Sequence, residues 1–306
     1  MRLFGRGLRP FSVRRLRAGS TGRLLVQGAR ALSTCGGRRM AERAAHLVDQ
    51  MFPDVPVRQW VLSLPHRLRY LLAWDHELCR AVSGVAVRAV LAFLRRRARR
   101  EGVADGRSGA VVVVQRFGGA LNLNIHLHAL VLDGVFTNDG GAVRFHPVRR
   151  LTHEDVAEVV ALVAQRVRRC GDPPENVATA TPGPCHAHAA GFDLHAGLLV
   201  RDGQRNRLER VCRYALRPPL AQERLHQTRE GEIWLTLRHR WAEGTTHLRF
   251  DPLELLERLA VLTPRPRVNL ILYYGVLAPR AAWRSAVVLA TSDGVDAADG
   301  GIIRRA

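Results

Sequence analysis

The stretch Asn122-Leu-Asn-Ile-His-Leu-His-Ala-Leu-Val-Leu-Asp133 decides how this chain is read. It alternates as a β-strand does, and successive side chains on a strand point to opposite faces. His126 and His128 therefore share one face, while Ile125, Leu127, Ala129 and Val131 share the other. Two neutral imidazoles side by side make half of a divalent-metal site. On the pattern alone they could equally be two histidines on a solvated strand face. A metal needs a further protein ligand. Gln115 lies on the β-branched strand Ala110–Phe117, which the Gly118-Gly119 turn folds back beside the histidine strand. It is the expected third ligand, with His146 second in line.

Outward from this hairpin, Val57–Leu64 reads as a strand and residues 66–100 as one or two long helices closing on the basic run Arg95–Arg100. Val143–Val148 is a short strand. Thr152–Arg169 is an amphipathic helix opened by Thr152 and Asp155 in a capping box. Phe192–Val200 follows as another strand. The order strand, helix, strand, strand, helix is most of a βαββαβ layout. The expected class is thus α+β, a ferredoxin-like antiparallel sheet with helices on one face. Helical and β additions follow: a helix over Asn206–Arg217, strands at Ile233–Arg238 and Thr246–Phe250, and a helix from Pro252 to Leu262. Residues 171–190 are rich in Pro, Gly and Ala and read as a loop. Cys185-His186-Ala187-His188 sits there without strand patterning; it could be a Cys/His metal site, but no partner ligands stand at suitable spacing.

A chain of 306 residues with 47% hydrophobic content can bury one large core or two small ones. No apolar run is long enough to span a bilayer, so no membrane partner is expected. The net charge is +20, which suggests a polyanionic partner, most simply nucleic acid. All 47 basic residues are arginine. A GC-rich codon bias would also raise arginine everywhere. Five scattered cysteines without a CxxC pair fit a reducing cytosol better than a disulfide framework. Residues 1–34 are basic, and the first acidic residue is Glu42. That composition suits a mitochondrial transit segment, a disordered basic arm or a mis-assigned reading frame.

In the helix before Pro218-Pro219, Leu208, Val211, Cys212, Ala215 and Leu216 form a full apolar stripe. Tyr214 lies roughly 120° from the middle of that stripe, at about 100° per residue. It shares its face with Arg207, Arg210 and Arg217. A phenol is a weak nucleophile near neutral pH, and flanking guanidinium groups together with a metal-polarised phosphate would help it. Of the other tyrosines, Tyr70 reads as core, and Tyr273 and Tyr274 as packing at a strand end.

Gln115 to Phe136, Arg213-Tyr-Ala-Leu-Arg-Pro-Pro-Leu-Ala221, Gly244-Thr-Thr-His247 and Tyr274-Gly-Val-Leu-Ala-Pro279 closely resemble the HUH rolling-circle transposases of bacterial insertion sequences and common-region elements. The resemblance runs from about Cys35 to Arg284. It implies an HUH endonuclease-type fold in a bacterial cytoplasmic protein. The implied partner is single-stranded DNA, at element ends and target. By position it implies that His126 and His128 bind Mg²⁺ or Mn²⁺, with Gln115 the third ligand read from the strand pattern. It also implies that Tyr214 attacks the DNA backbone, leaving a 5′-phosphotyrosine and a free 3′-hydroxyl. Arg207, Arg210, Arg213 and Arg217 would bind flanking phosphates, and Asn122 and Asn124 would orient the ligands or cap the strand end.

Two departures bear on what to expect. Relatives with two catalytic tyrosines place them four residues apart, but Arg210 stands four before Tyr214, as in a one-tyrosine version. Relatives begin with a cysteine-rich zinc module ending in C-x-x-C-G-G-R-R-M-A, of which Cys35-Gly-Gly-Arg-Arg-Met-Ala41 is present. Leu32, Ser33 and Thr34 replace the upstream cysteine region, and one cysteine cannot hold a tetrahedral zinc. The expected organisation is a basic segment over 1–34, a zinc-module remnant over 35–54, a catalytic domain over 55–285 and a weakly structured tail over 286–306, in a copy truncated or frameshifted at its start. The alternatives to an active transposase are an inactive DNA-binding remnant and a rolling-circle replication initiator.

Overall fold

The computed structural model describes residues 36–140, 142–168, 184–229 and 232–289. The expected basic segment, Cys35 and the far end of the tail lie outside these residues. The elements in chain order are α1 (36–50), β1 (Val57–Ser63), α2 (His66–Trp74), α3 (His76–Arg100), β2 (Gly109–Phe117), β3 (Leu123–Leu132), β4 (Gly134–Asp139), β5 (Ala142–Pro147) and α4 (His153–Arg168). Next come β6 (His186–Ala189), β7 (Phe192–Val200), α5 (Arg205–Leu216), β8 (Leu225–Gln227), β9 (Ile233–Thr236), β10 (His247–Phe250), α6 (Pro252–Leu262), β11 (Ile271–Gly275) and α7 (Arg284–Leu289).

Six strands form one sheet in the order β11-β2-β3-β1-β7-β6, every neighbouring pair antiparallel. Its four central strands, with α3 and α4 as crossovers, have the ferredoxin-like βαββαβ connectivity, and the fold is α+β as expected. Local chemistry sets the helix boundaries. The expected long helix over 66–100 is broken at Asp75, whose extended backbone lets its carboxylate accept from the Leu78 amide at 2.9 Å and cap α3. Thr152 and Asp155 close the reciprocal capping box at the start of α4, at 2.9 and 3.3 Å.

The two sheet faces are covered differently. Trp60, Leu62, Val112, Val114, Ile125, Leu127 and Leu194 pack beneath α3 and α4. On the opposite face Val57, Val111, Leu130, Leu132 and Val200 are covered by the additions, through Leu47 of α1 and Leu208 and Cys212 of α5. Val287 of α7 is buried in the same cluster, so helix continues into the expected tail. A third cluster joins Phe117 and Leu121 to a small β8-β9-β10 sheet and α6. The strand expected at Val143–Val148 is β5, which pairs with β4 outside the main sheet.

A buried bidentate ion pair ties the central strand to its neighbour. Arg58 donates from Nε and a terminal nitrogen to the two Asp133 oxygens, each at 2.8 Å, and its other terminal nitrogen donates to the Ala196 carbonyl at 3.1 Å. Removing one partner leaves a buried unpaired charge, which costs about 3–5 kcal/mol, whereas replacing both by apolar groups is often near neutral. Asp133→Leu should therefore lower the urea midpoint strongly, and Arg58→Met/Asp133→Leu should recover most of the loss. Equal losses in the two proteins would refute the unpaired charge as the cause.

Candidate active site

On the face of the main sheet that carries α5, two rows of side chains run across the strands. One row reads Gln115, His126, Ser63, Asp193, His188, and the next Val113, His128, Val61, His195, His186. The apolar cover of this face stops at these rows. The C-terminal end of α5, with Tyr214 and Arg217, overhangs the first strands of both.

The His126 Nδ1 lies 2.9 Å from the Asn124 carbonyl, which can only accept. His126 thus carries its proton on Nδ1 and presents the Nε2 lone pair. The His128 Nδ1 lies 3.0 Å from the Gln59 carboxamide, and its Nε2 is buried without a hydrogen-bond partner among the described residues. The Gln59 atom placed there is Nε2, which donates to Nδ1; turning the carboxamide over, so that its oxygen accepts instead, gives His128 the same tautomer as His126 and frees its Nε2 lone pair. The two rings stand 4.9 Å apart between centroids. Gln115 faces His126 in the register and donates from Nε2 to the Ala215 carbonyl at 3.0 Å, while its Oε1 is buried and likewise unpartnered. The buried, unpartnered His128 Nε2 and Gln115 Oε1, with the His126 Nε2 lone pair on the same face, are what a divalent ion would satisfy, so these residues fit such a group.

Burial is the main cause that lowers both imidazole pKa values. Arg217 and Arg69 add to it at His126, partly offset by the Asn124 hydrogen bond. His126 and Arg217 add to it at His128, which is lowered to about 3. Both rings are neutral at neutral pH, the form that binds metal.

Tyr214 is 48% exposed, and its ring meets that of His128 nearly edge-on at 5.7 Å. The Arg217 guanidinium lies 4.2 Å from the centroid of the same ring. Of the four expected phosphate-binding arginines, Arg217 alone is placed against the tyrosine. Arg213 is paired with Glu209 at 2.6 Å, Arg207 reaches the Gln204 side chain at 3.3 Å, and Arg210 is exposed along α5. Asn122 lies against the turn, where a Cβ on Gly118 would come within 2.3 Å of its Oδ1.

Residues 109–284 match the profile of the family described as "Putative transposase". The chain belongs to that transposase family. Its partner is DNA and its business DNA transposition. No curated protein and no solved structure matches the chain. Among the described residues no helix is long and apolar enough to cross a membrane.

Several positions in this transposase depart from the sequence reading or escaped it. His146 does not join the histidine pair: it lies on β5, outside the main sheet, with Nε2 2.9 Å from the Thr137 hydroxyl. Tyr70 is 48% exposed rather than core, because α2 turns that side outward. Arg224 and Arg238 were missed, since neither lies near the tyrosine in sequence. Burial lowers both their pKa values first, followed by repulsion from Arg238 and Arg217 at Arg224, and from Arg217 at Arg238. The residues 186–189 expected as loop form strand β6, because pairing with β7 supplies the order that composition hides. His186, His188 and Asp193 gather there with donor atoms all within 4.8 Å of one another.

The folded-state pKa of His128 lies below the ordinary value of about 6.5, so the folded protein binds fewer protons than the unfolded chain between the two. Its contribution to stability is whole above about pH 6.5 and is lost as the pH falls toward 3. In chelator-treated protein the unfolding midpoint should fall between pH 7 and pH 4, less steeply in His128→Gln. A slope unchanged by the substitution would show that this imidazole is solvated in the folded state.

Proposed function

We propose that this chain is a one-tyrosine transposase of the HUH type that nicks and rejoins single-stranded DNA at element ends in the bacterial cytoplasm, with residues 55–285 as its catalytic domain and 35–54 as a zinc-module remnant. One observation carries the reading: unpartnered atoms of His128 and Gln115 and the free Nε2 of His126 share a sheet face with an exposed tyrosine backed by an arginine.

His126 Nε2, His128 Nε2 and Gln115 Oε1 would hold Mg²⁺ or Mn²⁺, and that ion would supply Lewis-acid polarisation of the scissile phosphate. Two nitrogens and one oxygen suit Mn²⁺ better than the harder Mg²⁺. Asn124 and Gln59 orient the two rings. The Tyr214 oxygen attacks phosphorus and gives its proton to solvent. The bond from phosphorus to the 3′ oxygen breaks, that oxygen takes up a proton, and DNA remains as a 5′-phosphotyrosine ester. Because one phosphoester replaces another, a 3′-hydroxyl of a second strand can reverse the step and complete transfer. Arg217, Arg224 and Arg238 repel one another, and a DNA phosphate entering among them relieves that repulsion.

Incubation with Mn²⁺ and single-stranded element-end oligonucleotides should yield a denaturation-resistant adduct, absent in Tyr214→Phe and reduced at least 100-fold in His126→Ala. Retained adduct in Tyr214→Phe would overturn the nucleophile. Binding without any adduct in the native protein would favour the inactive DNA-binding remnant. Separately, Arg217→Ala and Arg238→Ala should weaken single-strand binding similarly across sequences. For every phosphate that such a variant no longer neutralises, the slope of log affinity against log salt should fall by about 0.7. Weakening confined to one sequence would instead indicate base reading.

A further inference from the structure

The hairpin β6–β7 places four metal-type side chains on one face. His186 pairs across the hairpin with His195, and His188 with Asp193, while Ala187 and Leu194 between them turn into the core. Residues directly opposite on antiparallel strands have their Cβ atoms about 4.5–5.5 Å apart, and the donor atoms of His186, His188 and Asp193 all lie within 4.8 Å of one another, with His195 beside them. The Asp193 Oδ1 is the meeting point. His186 Nε2 lies 2.5 Å from it and His188 Nδ1 3.6 Å, with the two rings 4.7 Å apart. The His195 ring stands 5.5 Å from that of His186, and both border an open pocket of about 420 Å³ with Pro184, Gly197 and Leu198. His188 turns Nδ1 toward the Asp193 Oδ1, while its other ring nitrogen, Nε2, is buried without a hydrogen-bond partner among the described residues and takes no part in the cluster.

We infer that His186, His188 and Asp193, completed by His195, form a second metal site that takes one zinc-type divalent ion and clips the edge hairpin of the sheet. The ligand set of imidazoles and one carboxylate suits tetrahedral zinc. Donor atoms about 2.0–2.1 Å from such an ion lie about 3.4 Å from one another. The separation of His188 from Asp193 is already close to that, and the His186 contact opens by about 1 Å when an ion replaces its hydrogen bond. The site is separate from His126 and His128. Strand β1 lies between β3 and β7, and two strand spacings amount to about 10 Å. Paired metals acting on one phosphate stand only about 3.5–4 Å apart. The ion's work is therefore structural: β6 has four residues and hydrogen-bonds to one neighbour only, so a bond through the ion ties a short edge strand to the sheet. This inference rests on the hairpin and not on the tyrosine chemistry.

Chelator-treated full-length protein titrated with Co²⁺, then Zn²⁺, tests it. His126→Ala/His128→Ala protein should still bind one equivalent, with the intense visible absorption of tetrahedral Co²⁺, and should melt several degrees higher with Zn²⁺. His186→Gln and Asp193→Asn, checked for native circular dichroism, should each bind that equivalent at least 100-fold more weakly while Tyr214-dependent adduct formation persists. Absence of the tetrahedral spectrum in His126→Ala/His128→Ala protein, or binding unchanged in folded His186→Gln, would overturn the site. If both hairpin variants fail to fold, the His126→Ala/His128→Ala titration decides alone.

Discussion

The register of strand β1 is the constraint on which the remainder depends. It is hydrogen-bonded to β3 on one side and β7 on the other, so each of its residues except Trp60, where the pairing with β7 shifts, fixes two neighbours. A slip of one residue would send every side chain to the opposite face. Trp60 and Leu62 would leave the core beneath α3 and α4, and the line from Gln115 through His126 and Ser63 to Asp193 would be broken. Hydrophobic alternation specifies this register over most of the strand, and the buried pair of Arg58 and Asp133 anchors one end. The same register places both histidine pairs on one face.

The site follows from how that face is covered. Toward one end, apolar residues meet α1 and α5 and exclude water. At the other end the apolar cover stops, but burial is still enough to keep His126 and His128 neutral. The arginines above them reinforce this: Arg217 disfavours an imidazolium while remaining available to a phosphate. One electrostatic arrangement therefore keeps the proposed metal ligands deprotonated and places positive charge at the entrance. The fixed proton on His126 Nδ1 comes from its own strand, two residues back, so part of the orientation is local.

Much of this was legible because it obeys short-range periodicity. The shared face of His126 and His128, the position of Gln115 across the turn, the apolar stripe of α5 with Tyr214 off it, and the capping box of α4 all arise within one element or one hairpin. The misreadings arose where longer-range pairing prevails. His146 looked available, but β4 and β5 leave the main sheet. Residues 186–189 looked like loop because Ala and Gly neighbours conceal a strand whose order comes from β7. Asp193 and His195 have no fixed spacing to His186 and His188 that a linear motif would reveal. They become partners only when the hairpin closes.

The sequence by itself determined the α+β class, most of the strand and helix order, the shared face of His126 and His128 and the place of Tyr214 off the apolar stripe of its helix, since side-chain period and local capping are written residue by residue. Only the tertiary structure decided that Tyr214 comes to His128, that Arg224 and Arg238 join Arg217, and that a second histidine cluster gathers at the sheet edge. Those contacts join segments tens of residues apart, and their geometry is set by strand pairing and helix packing.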